Sequence, residues 1–153
     1  MPLNPAAVGR KYSRTEPFEV GREHIRDFAN AIGDRNPLYH DPETARAAGY
    51  PDVIAPPTYL VVLSTRIVVG SLASDPVLGM DYSRVVHGKQ LFKHVRPVHV
   101  GDTLTVVPHI DSVVSRDAVS QVTLCCTVYA NETEHVSTVY STMVERHEES
   151  EAK

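Results

Sequence analysis

Apolar residues in the first third of the chain recur with the period of an α-helix. Four of them lie at positions i, i+3, i+4 and i+7 between Gly21 and Gly33, which is the spacing of one buried helix face. They are Ile25, Phe28, Ala29 and Ile32. A second, short helix is predicted after Asp41, because Asp41-Pro42-Glu43 supplies an N-cap, a first-turn proline and an acidic residue near the positive helix end. Gly49 is expected to end it.

A third helix is predicted over Thr58–Val69, after the Pro56-Pro57 pair. Nearly every position in it is apolar, and a helix that is apolar on nearly all sides is expected to be buried on nearly all sides. Its β-branched residues also fit a strand, but the length of the segment and the preceding prolines favour a helix that ends at Gly70.

From Tyr82 onward the period of the apolar residues changes to two, which indicates strands. One strand follows a Gly101-Asp102 turn, and two others are joined through residues 131–133 as a hairpin. Helices first and a meandering antiparallel sheet afterwards is an α+β pattern, with one apolar helix available to lie in the curve of the sheet.

Composition and charge exclude several classes of protein. A chain of 153 residues with 42% apolar and 22% charged residues fits one globular domain. Its 15 Lys+Arg against 19 Asp+Glu, without a basic cluster, argue against a nucleic-acid partner. No apolar run approaches the roughly 18 residues of a membrane span, so we expect no membrane segment and a cytoplasmic location. The histidines are unevenly spaced, and neighbouring Cys125 and Cys126 point to opposite faces of a strand, so no metal site is predicted.

The candidate chemistry lies in the link between the first two helices. Asp34, Asn36 and His40 follow Gly33 within one turn that Pro37 stiffens. A carboxylate and an imidazole held in one short segment can share or relay a water, as general acid-base chemistry requires. On these residues alone, a structural interpretation competes, in which Asp34 and Asn36 are turn residues and Asp41 is a helix cap.

The same segment resembles the motif G-D-x-N-P-[LI]-H of MaoC-like (R)-specific enoyl-thioester hydratases and (3R)-hydroxyacyl-thioester dehydratases. Here it reads Gly33-Asp34-Arg35-Asn36-Pro37-Leu38, followed closely by a histidine. Two further segments agree in order and spacing, namely Ile54–Thr58 and the stretch from Phe92 to Leu104. The resemblance covers the chain from Gly9 to Val144.

Residues 145–153 are too polar to pack, and a disordered tail is expected there. The resemblance implies an α+β hot-dog domain over residues 1–144, in which a curved antiparallel sheet wraps a long central helix. It also implies reversible hydration of a 2-enoyl thioester carried on CoA or acyl carrier protein, without a metal or other cofactor. The Asp and the His of the motif flank one water, and a backbone N–H at the start of the central helix polarises the thioester carbonyl. By this match Asp34 and His40 are the candidate catalytic residues, and the expected substrate contacts are Asn36, Tyr39, Thr58 and Tyr59.

The chain departs from the motif twice. The motif histidine stands five residues after the aspartate, where this chain has Tyr39, and its imidazole comes one residue later at His40. The family commonly has His-Gly where this chain has Pro56-Pro57, and proline has no N–H with which to bind an oxyanion. The next available donor is Thr58.

A weakened motif on an intact fold resembles the A-type, substrate-holding subunits of actinobacterial (3R)-hydroxyacyl-carrier-protein dehydratases, which pair with a catalytic MaoC-like chain. Their opening pattern is similar to Val8–Tyr12 and Phe18–Phe28. The expectation is therefore a dehydratase component that forms a hot-dog heterodimer. A self-sufficient homodimeric (R)-specific hydratase stays open as the alternative. A hot-dog thioesterase or an acyl-thioester binding module is a further one, and the Gly-Asp-x-Asn-Pro segment disfavours the thioesterase.

Overall fold

A computed structural model describes residues 1–148 of the chain. Three α-helices and five strands form its regular elements, with short 3-10 turns at 5–7, 37–39 and 82–84. The helices are α1 (Arg22–Ala31), α2 (Pro42–Ala47) and α3 (Val61–Ile67), and the strands are β1 (Phe18–Glu19), β2 (Val85–His94), β3 (Thr103–Arg116), β4 (Val119–Ala130) and β5 (Glu134–Arg146).

The five strands form one antiparallel sheet in the order β1-β3-β4-β5-β2. Hairpins join β3 to β4 and β4 to β5, and the second of these turns at Asn131 and Glu132, both of which have positive φ. One face of the sheet packs on α3 and forms the core with residues such as Ile110, Leu124 and Val139. The predicted α+β hot-dog fold is confirmed.

The first two helices begin and end as their sequence signals indicate. Helix α1 follows Gly21 and buries Ile25 and Ala29, with Phe28 packed against the core. The fourth residue of the predicted buried face, Ile32, lies just past the end of the helix and is exposed. Helix α2 has Asp41 as its N-cap, whose side chain accepts a hydrogen bond from the Glu43 N–H. A helix cap is formed by residues next to the helix in the sequence, so the sequence alone predicts where these two helices begin.

The third helix differs from its prediction at both ends. Residues 57–60 form tight turns instead, with the Tyr59 N–H bonded to the Pro56 carbonyl, so α3 begins at Val61 and not at Thr58. At the other end the chain continues as a π-helical turn, Val68–Leu72, which passes through Gly70. The expected stop at Gly70 is wrong, because the Ala73 N–H bonds to the Val68 carbonyl and closes the wider turn. One face of this segment is also exposed, including Val69.

The expected boundary between domain and tail at Val144 falls inside β5. Glu145 is buried, and its carboxylate accepts a hydrogen bond of 2.6 Å from the Asp81 N–H. Arg146 pairs with Val119, and the His147 ring bonds to the Ser120 hydroxyl. The start of the polar segment is thus part of the fold, and residues 149–153 of the predicted tail lie outside the described residues. No helix within 1–148 has the length and apolarity needed to span a membrane.

Gly88 allows a close approach between the edge strand and its neighbour. It lies at an irregularity in the β2–β5 register, and a Cβ built there would be 2.7 Å from Cγ2 of Val144. We expect Gly88→Ala to lower the free energy of unfolding by about 1–3 kcal/mol, as overpacking does. Gly70→Ala is the matched control, because a Cβ at Gly70 meets nothing within 4 Å. Urea denaturation of both variants measures the difference, and equal stabilities would contradict the packing.

Candidate active site

The loop between α1 and α2 brings the motif residues together, and Asp34, Asn36 and His40 each make a hydrogen bond to the backbone of the loop itself. The Asp34 carboxylate accepts a hydrogen bond of 3.0 Å from the Asn36 N–H. The Asn36 side chain accepts one of 3.1 Å from the Leu38 N–H and caps the 37–39 turn. The His40 ring donates from Nε2 to the backbone carbonyl of Asp34 over 3.0 Å. In this geometry the imidazole contacts the backbone of Asp34 rather than its carboxylate.

Tyr39, the residue at the motif-histidine position, lies beside a cleft of about 220 Å³. It is 7% exposed, while Asp34 and His40 are half-buried and Asn36 is exposed. Burial raises the pKa of the Tyr39 phenol, and the nearby Asp34 carboxylate raises it further. The phenol is therefore neutral at physiological pH and can serve as a hydrogen-bond partner. The cleft is lined mainly by apolar groups from residues 54–57, 59–60 and 94–98.

Two backbone segments that line this cleft lie side by side and are hydrogen-bonded to each other. The Ala55 N–H donates to the Val98 carbonyl over 2.7 Å, and the Val100 N–H donates to the Val53 carbonyl over 3.1 Å. A third bond, from the Ile54 N–H to the Leu38 carbonyl, fixes the motif loop to the same segment. The walls and the base of the cleft are thus one hydrogen-bonded unit.

Arg96 lies on the cleft wall and is held by two carboxylates. Its guanidinium makes bonds of 2.8 and 2.9 Å to Asp102, which is 1% exposed, and two of 2.9 Å to Glu134. Bidentate geometry of this kind gives orientation as well as energy. Asp102 also accepts from the His99 N–H, so the turn after β2 is rigidly placed.

The Pro56-Pro57 pair leaves Thr58 as the first residue of the turn with a backbone N–H. Within residues 1–148 this N–H has no protein acceptor. The Thr58 side chain is exposed and does not line the cleft. The carbonyl of Pro57 accepts a hydrogen bond of 2.7 Å from Nε2 of His94, whose Nδ1 is 2.9 Å from the buried Ser137 hydroxyl. A peptide whose carbonyl is held in this way has a fixed N–H direction.

Tyr59 packs in an aromatic group at the inner end of the cleft. Its ring meets those of His24 and Phe28 edge to face, and its hydroxyl bonds to Nδ1 of His24. The side chain is 1% exposed, and burial raises its pKa to about 12. Tyr59 therefore packs in the core and also lines the cleft.

The cleft contains two predicted contact residues, Tyr39 and Tyr59, and two that sequence reasoning missed, His94 and Arg96. A signal for His94 was available, because Phe92 and His94 are two apart in a strand and so share a face. Their rings stack with centroids 5.6 Å apart.

The model of the family described as "FAS1-like, dehydratase domain region" matches residues 6–139. The chain belongs to this family. A relative from Saccharopolyspora erythraea, named only "UPF0336 protein", is 51% identical over 146 residues, which cover 95% of this chain and 93% of that protein.

Two solved structures show the nature of the family. A chain of the C-terminally truncated HadBC (3R-hydroxyacyl-ACP dehydratase) complex from Mycobacterium tuberculosis superimposes with a TM-score of 0.79 and 28% identity, over 90% of this chain and 96% of that one. A MaoC-like dehydratase gives 0.85 and 26%, over 93% of this chain and 43% of that one. The MaoC-like resemblance of the sequence is thereby confirmed.

The raised pKa of Tyr59 predicts a pH dependence of stability. The unfolded phenol loses its proton near pH 10, whereas the folded one keeps it to about pH 12. The associated stability is complete below about pH 10 and is lost as pH rises toward 12. Tyr59→Phe should therefore lose less free energy of unfolding over that window than the wild type, measured by urea denaturation across it. Tyr82→Phe, at an exposed tyrosine, is the control and should follow the wild type.

Proposed function

We propose that this chain is the substrate-holding subunit of a (3R)-hydroxyacyl-thioester dehydratase or enoyl-thioester hydratase, and that a second, catalytic hot-dog chain supplies the acid-base pair. The observation that carries the proposal is that Tyr39, and not His40, borders the cleft. Tyr39 borders the cleft, while the ring of His40 is bonded to the Asp34 backbone.

Acid-base catalysis needs a base within hydrogen-bond reach of the proton that it removes. His40 donates from Nε2 to a carbonyl, so only Nδ1 of its ring is left to act as a base. The Asp34 carboxylate accepts from the Asn36 N–H on Oδ1, which leaves Oδ2 as its only unbonded oxygen. Neither group borders the cleft, so a substrate held there meets Tyr39 and apolar walls, which suits binding better than proton transfer.

The oxyanion contact is weakened in parallel. Neither Pro56 nor Pro57 has an N–H, and the Thr58 N–H is the first donor that a thioester carbonyl could use. Loss of one oxyanion donor costs about 10²- to 10³-fold in rate. Two separate losses in one site are more simply explained by a catalytic partner than by two local repairs.

The alternative, a self-sufficient homodimer, is supported by a different observation. Asp34, Asn36 and His40 are still present in one rigid loop, and Asp34 and His40 are only half-buried. A change in the His40 rotamer would release the Asp34 carbonyl and free the imidazole. Hydration kinetics on the chain alone and with its partner separate the heterodimer from the homodimer.

The free edge of the sheet is the surface that we assign to a second hot-dog chain. Within residues 1–148, β2 is paired only with β5, and it exposes Val86 and Leu91. We predict a particle of about twice 16.9 kDa by light scattering at micromolar concentration, either as a homodimer or with the partner. The double variant Val86→Lys/Leu91→Lys should prevent assembly, since charge on an edge strand opposes pairing. Gln121→Lys, at an exposed position on β4 that is paired with β3 on one side and β5 on the other, should not. A stable monomer that binds no hot-dog partner would contradict this assembly.

Hydration kinetics test the subunit role. With crotonyl thioester, the isolated chain should be nearly inactive, and addition of the co-purifying hot-dog chain should restore turnover. In the complex, His40→Ala should change kcat by about threefold or less, whereas a positioned acid-base group yields about 10²- to 10⁴-fold. Tyr39→Phe should have little effect on kcat.

Robust turnover by the chain alone that is lost in His40→Ala would favour the homodimeric alternative. In that case Asp34→Asn should also abolish hydration without unfolding the chain, because its side chain lies in a half-buried loop outside the core. If hydration survives Asp34→Asn, then Asp34 is only a turn residue and takes no part in the reaction.

A further inference from the structure

Among residues 1–148, four polar side chains line the cleft beside the motif loop, and three of them already have hydrogen-bond partners within the protein. The four are Tyr39, Tyr59, His94 and Arg96. The other lining residues are apolar, and small-molecule sites are typically apolar with a few polar groups that orient the ligand. The hydrogen bonds that the four side chains can still make therefore decide which ligand the cleft can recognise.

Arg96 is the one permanently charged side chain in this lining, and all five of its N–H groups have acceptors within residues 1–148. Asp102 and Glu134 each accept two of them, and the Pro97 carbonyl accepts the fifth. A guanidinium has no further donor to give. Because the two carboxylates also outnumber the guanidinium, an anion in the cleft gains no ion pair and meets a net negative charge.

His94 and Tyr59 are also engaged within the protein. Nε2 of His94 donates to the Pro57 carbonyl over 2.7 Å, and its Nδ1 is 2.9 Å from the Ser137 hydroxyl, so both ring nitrogens have partners. The Tyr59 hydroxyl is bonded to Nδ1 of His24, in a side chain that is 1% exposed. Neither ring therefore has an unbonded polar atom for a ligand.

Tyr39 is the exception. Its side chain is more than nine-tenths buried, and within residues 1–148 its hydroxyl has no hydrogen-bond partner. The hydroxyl is not among the polar atoms of this region that are enclosed without a partner, so it is accessible. Burial and the Asp34 carboxylate raise the pKa of the phenol and the nearby Asn36 side chain lowers it, but neither neighbour is hydrogen-bonded to the hydroxyl. The phenol therefore keeps a proton that it can donate to a ligand.

We propose that the cleft selects thioesters with an uncharged acyl group, and that the Tyr39 hydroxyl orients them by donating a hydrogen bond to a neutral oxygen of the ligand. This inference rests on the proposed function, because it takes the ligand to be an acyl thioester. The oxygen belongs either to the acyl chain, as a 3-hydroxyl, or to the pantetheine arm, as a carbonyl. A carboxylate on the acyl chain is rejected, because Arg96 has no donor left for it and the apolar walls would remove its water.

Two ligands of the same shape test the selection by charge. Calorimetric titration of the full-length chain, with its second hot-dog subunit where one co-purifies, compares succinyl pantetheine with the analogue that carries a terminal carboxamide. The carboxamide should bind at least tenfold more tightly, because a carboxylate that is desolvated without an ion pair is costly. An acid that binds as tightly as the carboxamide, or more tightly, would overturn the selection.

A second pair of ligands tests the contact to Tyr39. Butanoyl pantetheine and (3R)-3-hydroxybutanoyl pantetheine are titrated against the wild type, Tyr39→Phe and Tyr50→Phe. Tyr39→Phe should raise the dissociation constant of the hydroxylated ligand about fivefold, the usual net contribution of one hydrogen bond. A rise confined to that ligand identifies the 3-hydroxyl as the acceptor, and an equal rise for both identifies a carbonyl of the arm. Tyr50 packs against the core but does not line the cleft, so Tyr50→Phe should bind both ligands as the wild type does.

The outcomes distinguish this inference from the proposed function. Tyr39→Phe removes a hydroxyl without a protein partner, so it should melt as the wild type does. If it does so and both dissociation constants are unchanged, the Tyr39 contact is overturned and the proposed function stands. If the wild type binds none of the pantetheine thioesters, the proposed function is contradicted and this inference falls with it.

Discussion

The backbone pairing of residues 53–55 with residues 98–100 is the constraint on which the rest of the site depends. It joins the segment before α3 to the turn between β2 and β3, which are far apart in sequence. The hydrogen bond from the Ile54 N–H to the Leu38 carbonyl also holds the motif loop against this pairing. Because these segments are held to one another, the cleft walls, the start of α3 and the position of Tyr39 cannot vary independently. The ion pair between half-buried Arg96 and buried Asp102 reinforces the same turn.

The fold was largely predictable from the sequence because its signals are local or periodic. Caps at Gly21 and Asp41 placed α1 and α2, and the change to a period of two indicated the antiparallel strands. The errors arose where tertiary contacts decide. Gly70 usually ends a helix, but a π turn continues through it. Glu145 looked too polar to pack, yet it is buried because the Asp81 N–H gives its carboxylate a partner.

The candidate site was predictable only as a set of residues. Sequence spacing placed Asp34, Asn36, Tyr39 and His40 in one loop, but a shift of one residue in a turn changes the direction of a side chain by about 100°. Which ring faces the cleft depends on the hydrogen bond of His40 to the Asp34 carbonyl, a contact that no spacing rule encodes. His94 was missed for a related reason, since its place in the cleft lining comes with a bond to Pro57, which is 37 residues away in the sequence.

The energetics of the cleft favour holding a ligand over transforming one. Burying the Asp102 carboxylate is costly and is offset only by excellent geometry, which the two Arg96 bonds and the His99 N–H provide. A wall fixed in this way loses little entropy when a ligand binds, which is the basis of preorganised affinity. The acid-base candidates are placed differently, since Asp34 and His40 each make one hydrogen bond within their own loop and neither lines the cleft. A site that is rigid where it binds, with its acid-base residues outside the cleft, is the physical form expected of a subunit that presents a substrate to a partner.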